Sequence, residues 1–243
     1  MQLLLSSQAS TFEKCIRANK LFIRNQEFQM IEMPSGDAAL NFIGGGGNIQ
    51  AHWTAPKGES KNVSALVCHP HPLGGGTMDN KVVTTLTRNF RDAGIGCLRL
   101  NFRGVGHSEG GFDFGVGESE DVMILLHWLR RQNPDHKILL AGFSFGSFVS
   151  LRAANLLPKE IVERILLIAP PVLRFNFRAI GAPVHPLTII QPQQDEIVSP
   201  QAVEAWVSEL QGDKQFIKAE ACGHFFHGQL SLLKDLVNQN FVG

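Results

Sequence analysis

Residues 138–150, ILLAGFSFGSFVS, limit what this chain can fold into more than any other stretch. They open as a short apolar run, the mark of a strand buried on both faces. They turn within Gly142-Phe143-Ser144-Phe145-Gly146, and helical spacing then runs through Leu151, Ala153, Ala154 and Leu157 to Pro158. A strand, a sharp turn bearing a serine and a helix lift the hydroxyl clear of the backbone. The small Gly142 and Gly146 let strand and helix approach closely. The free N–H groups at the helix start face any negative charge that develops at Ser144.

The pattern alone is weak. With 24 Gly in 243 residues, a chance Gly-x-Ser-x-Gly is expected about 0.1 times per chain. It in fact recurs at Gly106-His107-Ser108-Glu109-Gly110, also after an apolar run (residues 95–102). That copy continues into Gly111-Phe112-Asp113-Phe114-Gly115, which has too much glycine and no helical period. The expectation is therefore a flexible loop around Ser108 and the reactive turn at Ser144.

Composition narrows the setting. Hydrophobic residues make up 44% of the chain and charged ones 18%, with a formal net charge of +0. This suits a globule with a sizeable core and gives no electrostatic grip on nucleic acid. Tyr is absent, so no catalytic tyrosine exists. Cys15, Cys68, Cys97 and Cys222 form no C-x-x-C pair and read as apolar fillers in a reducing compartment. The N-terminus lacks a basic leader, and no apolar stretch is long enough to span a membrane, so a cytoplasmic protein is expected.

Along the chain, residues 1–37 show no clear period beyond a short edge strand over 28–33, and read as an N-terminal extension. A domain over 38–243 follows. Residues 39–43 and 48–54 flank four glycines, 44–47. No Lys-Ser/Thr follows them, so a hairpin turn is expected and a phosphate loop is not. Strands are then predicted at 64–68, 95–102, 138–143, 164–169, 186–191 and 214–220. Helices are predicted at 79–91 with Asp79 as N-cap, at 118–131 with one apolar side, and after Ser144. Two more follow at 199–210 with Pro200 in first position, and at 225–237. Strand and helix alternate, so the fold class is α/β, with a mostly parallel sheet and helices on both faces. Functional residues belong in loops at the carboxyl ends of the strands.

A serine hydroxyl needs a base, and the base needs an acid. After Ser144, the loop past residue 191 carries Asp195 and Glu196. The loop past residue 220 carries His224 and His227. The order Ser, acid, His is that of one known hydrolase arrangement, and this conjunction is far more specific than either serine motif.

At this point the chain resembles the α/β-hydrolase superfamily, and within it a small group of lidless bacterial-type hydrolases related to dienelactone hydrolase and acyl-peptidase-like enzymes. The resemblance spans roughly residues 38–240. Its motifs are HPHPLGGGTMDNK at 69–81, NFRGVGHSEG at 101–110, the Ser144 turn, Asp195, and GHFFHG at 223–228. It implies Ser144 as nucleophile, Asp195 rather than Glu196 as acid, and His224 rather than His227 as base. The oxyanion would meet the Phe145 amide and one from the loop after residue 68. Pro70 and Pro72 have no N–H, which leaves His71 first and Leu73 second. His69 and His71 lack a carboxylate partner set, so neither a metal nor a cofactor is called for. Arg103 is expected to brace its loop by salt bridges. The short 169–186 connection leaves no room for a lid, so Phe143, Phe145, Val172, Leu173 and Phe225 would line an open cleft.

The expected activity is hydrolysis of a carboxylic ester, a small-molecule acyl substrate, through an acyl-enzyme. A peptidase or acyltransferase with the same residues, or a binding protein on the same scaffold, are the other readings. The sequence leaves homodimer formation open.

Overall fold

The computed structural model describes residues 31–242. Most of the expected N-terminal extension, and residues 28–30 of the strand expected there, lie outside them. Residues 31–33 form no strand.

Among the described residues, eight strands form one sheet. In chain order they are β1 (Ala38–Gly44), β2 (Gly47–Thr54), β3 (Val63–Cys68), β4 (Gly96–Leu100), β5 (Lys137–Phe143), β6 (Arg164–Ile168), β7 (Leu187–Pro192) and β8 (Lys214–Ala219). Their spatial order is β1-β2-β4-β3-β5-β6-β7-β8. β1 and β2 pair antiparallel through the expected glycine turn, and β2 meets β4 antiparallel. Every other pairing is parallel. The inner strands are buried almost without interruption. Their Leu, Ile, Val and Ala face helices on both sides, which is why they lack alternation. β1 and β8 are the edges among the described residues, and on β8 Lys214 and Lys218 discourage pairing with another strand.

Among the described residues, five α-helices lie between strands and a sixth follows the last: α1 (Lys81–Asp92), α2 (Val116–Gln132), α3 (Phe145–Leu156), α4 (Phe177–Ile180), α5 (Pro200–Glu209) and α6 (Leu230–Val237). α1 and α6 pack together over one core, with Val82, Val83, Leu86, Phe90, Leu233 and Val237 against β3, β5 and β6. α2 and α3 pack on each other elsewhere in the structure.

Three expectations need correction. The cap of α1 is Asn80, whose Oδ1 accepts the Val82 amide at 2.9 Å; Asp79 instead pairs with Arg99 at 3.3 Å. α2 is not one-sided: Gly117, Glu118, Ser119, Asp121 and Met123 are buried with the apolar stripe, because the helix also meets β1 and α3. The last helix starts at Leu230 and not at residue 225. Phe226 and Gly228 both take positive φ, 52° and 71°, which keeps residues 222–229 as a turn.

The topology locates a crevice. From β3 the chain moves outward to β4, and from β5 it moves the other way to β6. Loops leaving the carboxyl ends of β3 and β5 therefore part, and such a switch point is where open α/β sheets bind ligands. The β3 loop carries His71 and the β5 turn carries Ser144.

Candidate active site

Ser144 joins β5 to α3 with φ 53° and ψ −119°. A non-glycine residue in this region stores roughly 1–3 kcal/mol of strain, held by its surroundings. Those surroundings are visible: the Ser144 amide donates to Ile168 O at 2.8 Å, and the Ser147 amide donates to Ser144 O at 2.8 Å. Gly142 and Gly146 are required by close approach. A Cβ on Gly142 would strike the Gly146 carbonyl, and one on Gly146 would strike the Cys68 and His69 carbonyls. The helix thus rests directly on the start of the β3 loop. As first residue of α3, Phe145 has an amide with no carbonyl partner inside the helix.

The loop after β7 brings in Asp195. One carboxylate oxygen, Oδ1, accepts the Ile197 amide at 2.9 Å and the Val198 amide at 2.7 Å. The other, Oδ2, meets the His224 ring at Nδ1, 2.9 Å away, and accepts from Gln191 Nε2 at 3.3 Å. The Asp195 side chain is fully buried and that of His224 is 2% exposed. Glu196 does a different job: its Oε2 accepts the His224 amide at 3.1 Å. One acid therefore holds the ring and its neighbour holds the backbone. His224 packs on Phe143 with ring centroids 5.0 Å apart, and Phe143 immediately precedes Ser144. No hydrogen bond joins Ser144 Oγ to His224 among the described residues. Such contacts often close only when substrate binds. His227 is exposed, 5.7 Å from the Phe225 ring, and among the described residues no hydrogen bond or ion pair joins it to Asp195.

The β3 loop is held by its buried histidine. The His69 ring donates from Nδ1 to Pro70 O (2.6 Å) and accepts at Nε2 from the Phe102 amide (2.9 Å). Burial pushes its pKa down to about 4, against the opposing pull of the Pro70 carbonyl. Both nitrogens are committed, so the ring has nothing to offer a metal. His71 follows, at the cap of a single 3-10 turn, Pro72–Gly74. Its carbonyl accepts from Gly74 and Gly76, while its own amide donates to no described acceptor. The Leu73 amide is already engaged by His71 Nδ1 at 3.2 Å, which removes the second-choice donor.

Ser108 is occupied elsewhere. Its Oγ donates to Asn101 O at 2.7 Å and accepts the Gln50 amide at 2.9 Å, tying β2 to the end of β4. The loop expected to be flexible is thus pinned by its serine. Arg103 braces the same loop, with Nε and Nη2 donating to the two Asp121 oxygens at 2.9 and 2.8 Å.

Among the expected cleft residues, Phe143 is fully buried in the core and lines nothing. Phe145 is also buried, Val172 and Phe225 are half-buried, and Leu173 is exposed. Sequence reasoning passed over Gln191 and Phe175. A polar residue closing an apolar strand was the available signal for Gln191; Phe175 had none.

Comparison with known proteins agrees with this architecture. The α/β hydrolase fold family matches residues 66–177. An uncharacterized protein of Rickettsia prowazekii is 35% identical over 213 residues, covering 84% of this chain and 88% of its own. The chain belongs to the α/β-hydrolase family. An α/β serine hydrolase homologue from Coxiella burnetii superposes with a TM-score of 0.81 at 38% identity, over 86% of this chain and all of its own. A serine hydrolase from Xanthomonas campestris, described as lacking a lid, reaches 0.80 at 38% identity over 86% of this chain and 95% of its own. The present hydrolase likewise carries only the four-residue helix α4 between β6 and β7. Among its described residues, no helix is long and apolar enough to cross a membrane.

Proposed function

We propose that this hydrolase cleaves carboxylic esters through an acyl-enzyme, with Ser144 as nucleophile, His224 as base and Asp195 as its orienting acid. The observation that carries the reading is the 2.9 Å contact between Asp195 and His224 Nδ1, at the carboxyl end of the sheet, where the strained Ser144 also lies. With Nδ1–H donating to Asp195, the neutral ring presents a lone pair at Nε2.

The steps follow from this arrangement. Ser144 Oγ attacks the ester carbonyl carbon while His224 Nε2 takes its proton. The carbonyl oxygen gains charge facing the amides of Phe145 and His71, which need no reorganisation to receive it. Collapse expels the alcohol, which takes the proton from His224. Water then attacks the acyl-enzyme by the same route, and Ser144 is regenerated. Asp195 stabilises the imidazolium and fixes the tautomer without itself taking a proton.

A fluorophosphonate probe tests this reading. The protein should label on Ser144, and Ser144→Ala should not label. Asp195→Asn should slow labelling by about 10⁴-fold with the fold intact. Undiminished labelling of Ser144→Ala would reject the nucleophile assignment.

A further inference from the structure

Beside Ser144 lies an aromatic group that the proposed reaction does not use. Phe145, the residue after the serine, is its buried floor. The His71 ring lies 5.2 Å from Phe145, 4.9 Å from Phe112 and 5.8 Å from Phe175. Phe145 also meets Phe112 at 5.5 Å and Phe175 at 4.9 Å. Phe114 extends the row outward, 4.8 Å from Phe112.

Two features of this row bear on ligand binding. Phe114 is 72% exposed and sits at φ 51°, an outlier for a bulky residue. An exposed aromatic ring on a strained backbone buries little surface for the strain that it costs, and such outliers cluster at functional sites. The second feature is an unused donor. The Leu73 amide donates to His71 Nδ1, so the neutral ring carries its hydrogen on Nε2. Burial, and then the nearby Arg174 charge, hold this histidine's pKa below the usual value. Nε2 has no hydrogen-bond partner among the described residues.

We propose that this row is a subsite for an aromatic ring, that the substrates are aryl-bearing esters, and that His71 Nε2–H donates to an oxygen of the bound ester. The proposal rests on the ester-hydrolase reading and adds the substrate class to it. The rings of the row meet at tilted angles and keep Phe112, Phe114 and Phe175 at least partly open. An incoming aromatic ring extends that arrangement, and each such pair favours it over a saturated ring by about two- to twelvefold beyond burial alone.

Matched esters separate aromaticity from size. Benzyl acetate and cyclohexylmethyl acetate differ only in the ring of the alcohol; methyl phenylacetate and methyl cyclohexylacetate differ only in the ring of the acyl group. The aromatic member should have about tenfold higher kcat/KM in at least one pair, which also tells whether alcohol or acyl group occupies the row. Phe114→Leu, a change at an exposed side chain, should bring that ratio toward one. Ratios near one in both pairs, alongside Ser144-dependent hydrolysis of vinyl acetate, overturn the aromatic subsite and leave the ester reading standing. If no ester is hydrolysed in a Ser144-dependent way, the ester reading fails. Ligand-detected NMR with the same pairs then decides the subsite: preferential binding of the aromatic member that Phe114→Leu abolishes supports it, and equal binding overturns it.

Discussion

His69 uses both ring nitrogens on the backbone, one toward Pro70 and one toward Phe102. It thereby links the end of β4 to the loop whose next amide belongs to His71. A ring held this way must stay neutral. Its pKa of about 4 in the fold lies below the ordinary 6.5. Between those values the unfolded chain takes up a proton and the folded one does not. Stability therefore falls as pH drops from about 6.5 to about 4, by up to about 3 kcal/mol from this group. Other groups titrate in the same window, so a difference measurement isolates the ring. His69→Gln offers a donor and an acceptor without titrating. In urea unfolding it should be less stable than the native protein at pH 7, and the gap should narrow toward pH 4.5. A gap that stays constant would remove His69 as the cause. Nothing in the sequence distinguished His69 from His71 as the structural member of the pair, because both lie in one short loop and only burial separates them.

At the level of elements, the 101–115 loop is held against α2 by buried charge. Arg103 and Asp121 form a two-point pair whose side chains are 11% and 2% exposed. Burial raises the Asp121 pKa, and the Arg103 guanidinium pulls it back down. At the start of α2, buried Glu118 accepts the Asp113 and Gly115 amides, each at 2.8 Å. These contacts fix the backbone that carries Phe112 and Phe114 beside the proposed site. Asp113, 3.9 Å from Arg103 and half exposed, would be the only carboxylate left to the buried guanidinium among the described residues, so Asp121→Asn should lose about 3 kcal/mol in urea unfolding. Replacing both partners, Arg103→Met with Asp121→Leu, should cost less than the single change, since neither charge is then buried alone. A double variant worse than Asp121→Asn would mean that the pair itself, and not its desolvation, sets the stability. Arg103 was legible as a brace from its glycine-rich surroundings. Asp121 was not, because its position on α2 read as the polar face of a one-sided helix.

At the scale of the whole sheet, one part of the stabilising core lies at the end opposite the proposed reactive groups. The proposed catalytic groups all follow carboxyl ends of strands. Near the other end, Phe241 is 1% exposed, packs 6.2 Å from Phe90, and lies under the Arg164 guanidinium at 5.2 Å. Arg164 Nη1 also donates to the Phe241 carbonyl at 3.0 Å. Phe241→Ala should lose about 3–5 kcal/mol of unfolding free energy, while the folded fraction labels with fluorophosphonate at the native rate. A parallel loss of labelling rate would show that the two ends are coupled through the strands.

The sequence by itself determined the strand–turn–helix at Ser144, the alternation that makes a parallel sheet, and the order in which acid and histidine arrive. These are local or periodic properties, carried by apolar runs, glycine spacing and position after a strand. Only the tertiary structure decided that Asp195 meets the His224 ring while Glu196 holds its amide, since adjacent carboxylates differ only in where the loop turns. Only it tied Ser108 to Gln50 and Asn101, and drew Phe112, Phe145 and Phe175 around His71. Those contacts join segments far apart in the chain, and no local pattern encodes which long-range partner a side chain will find.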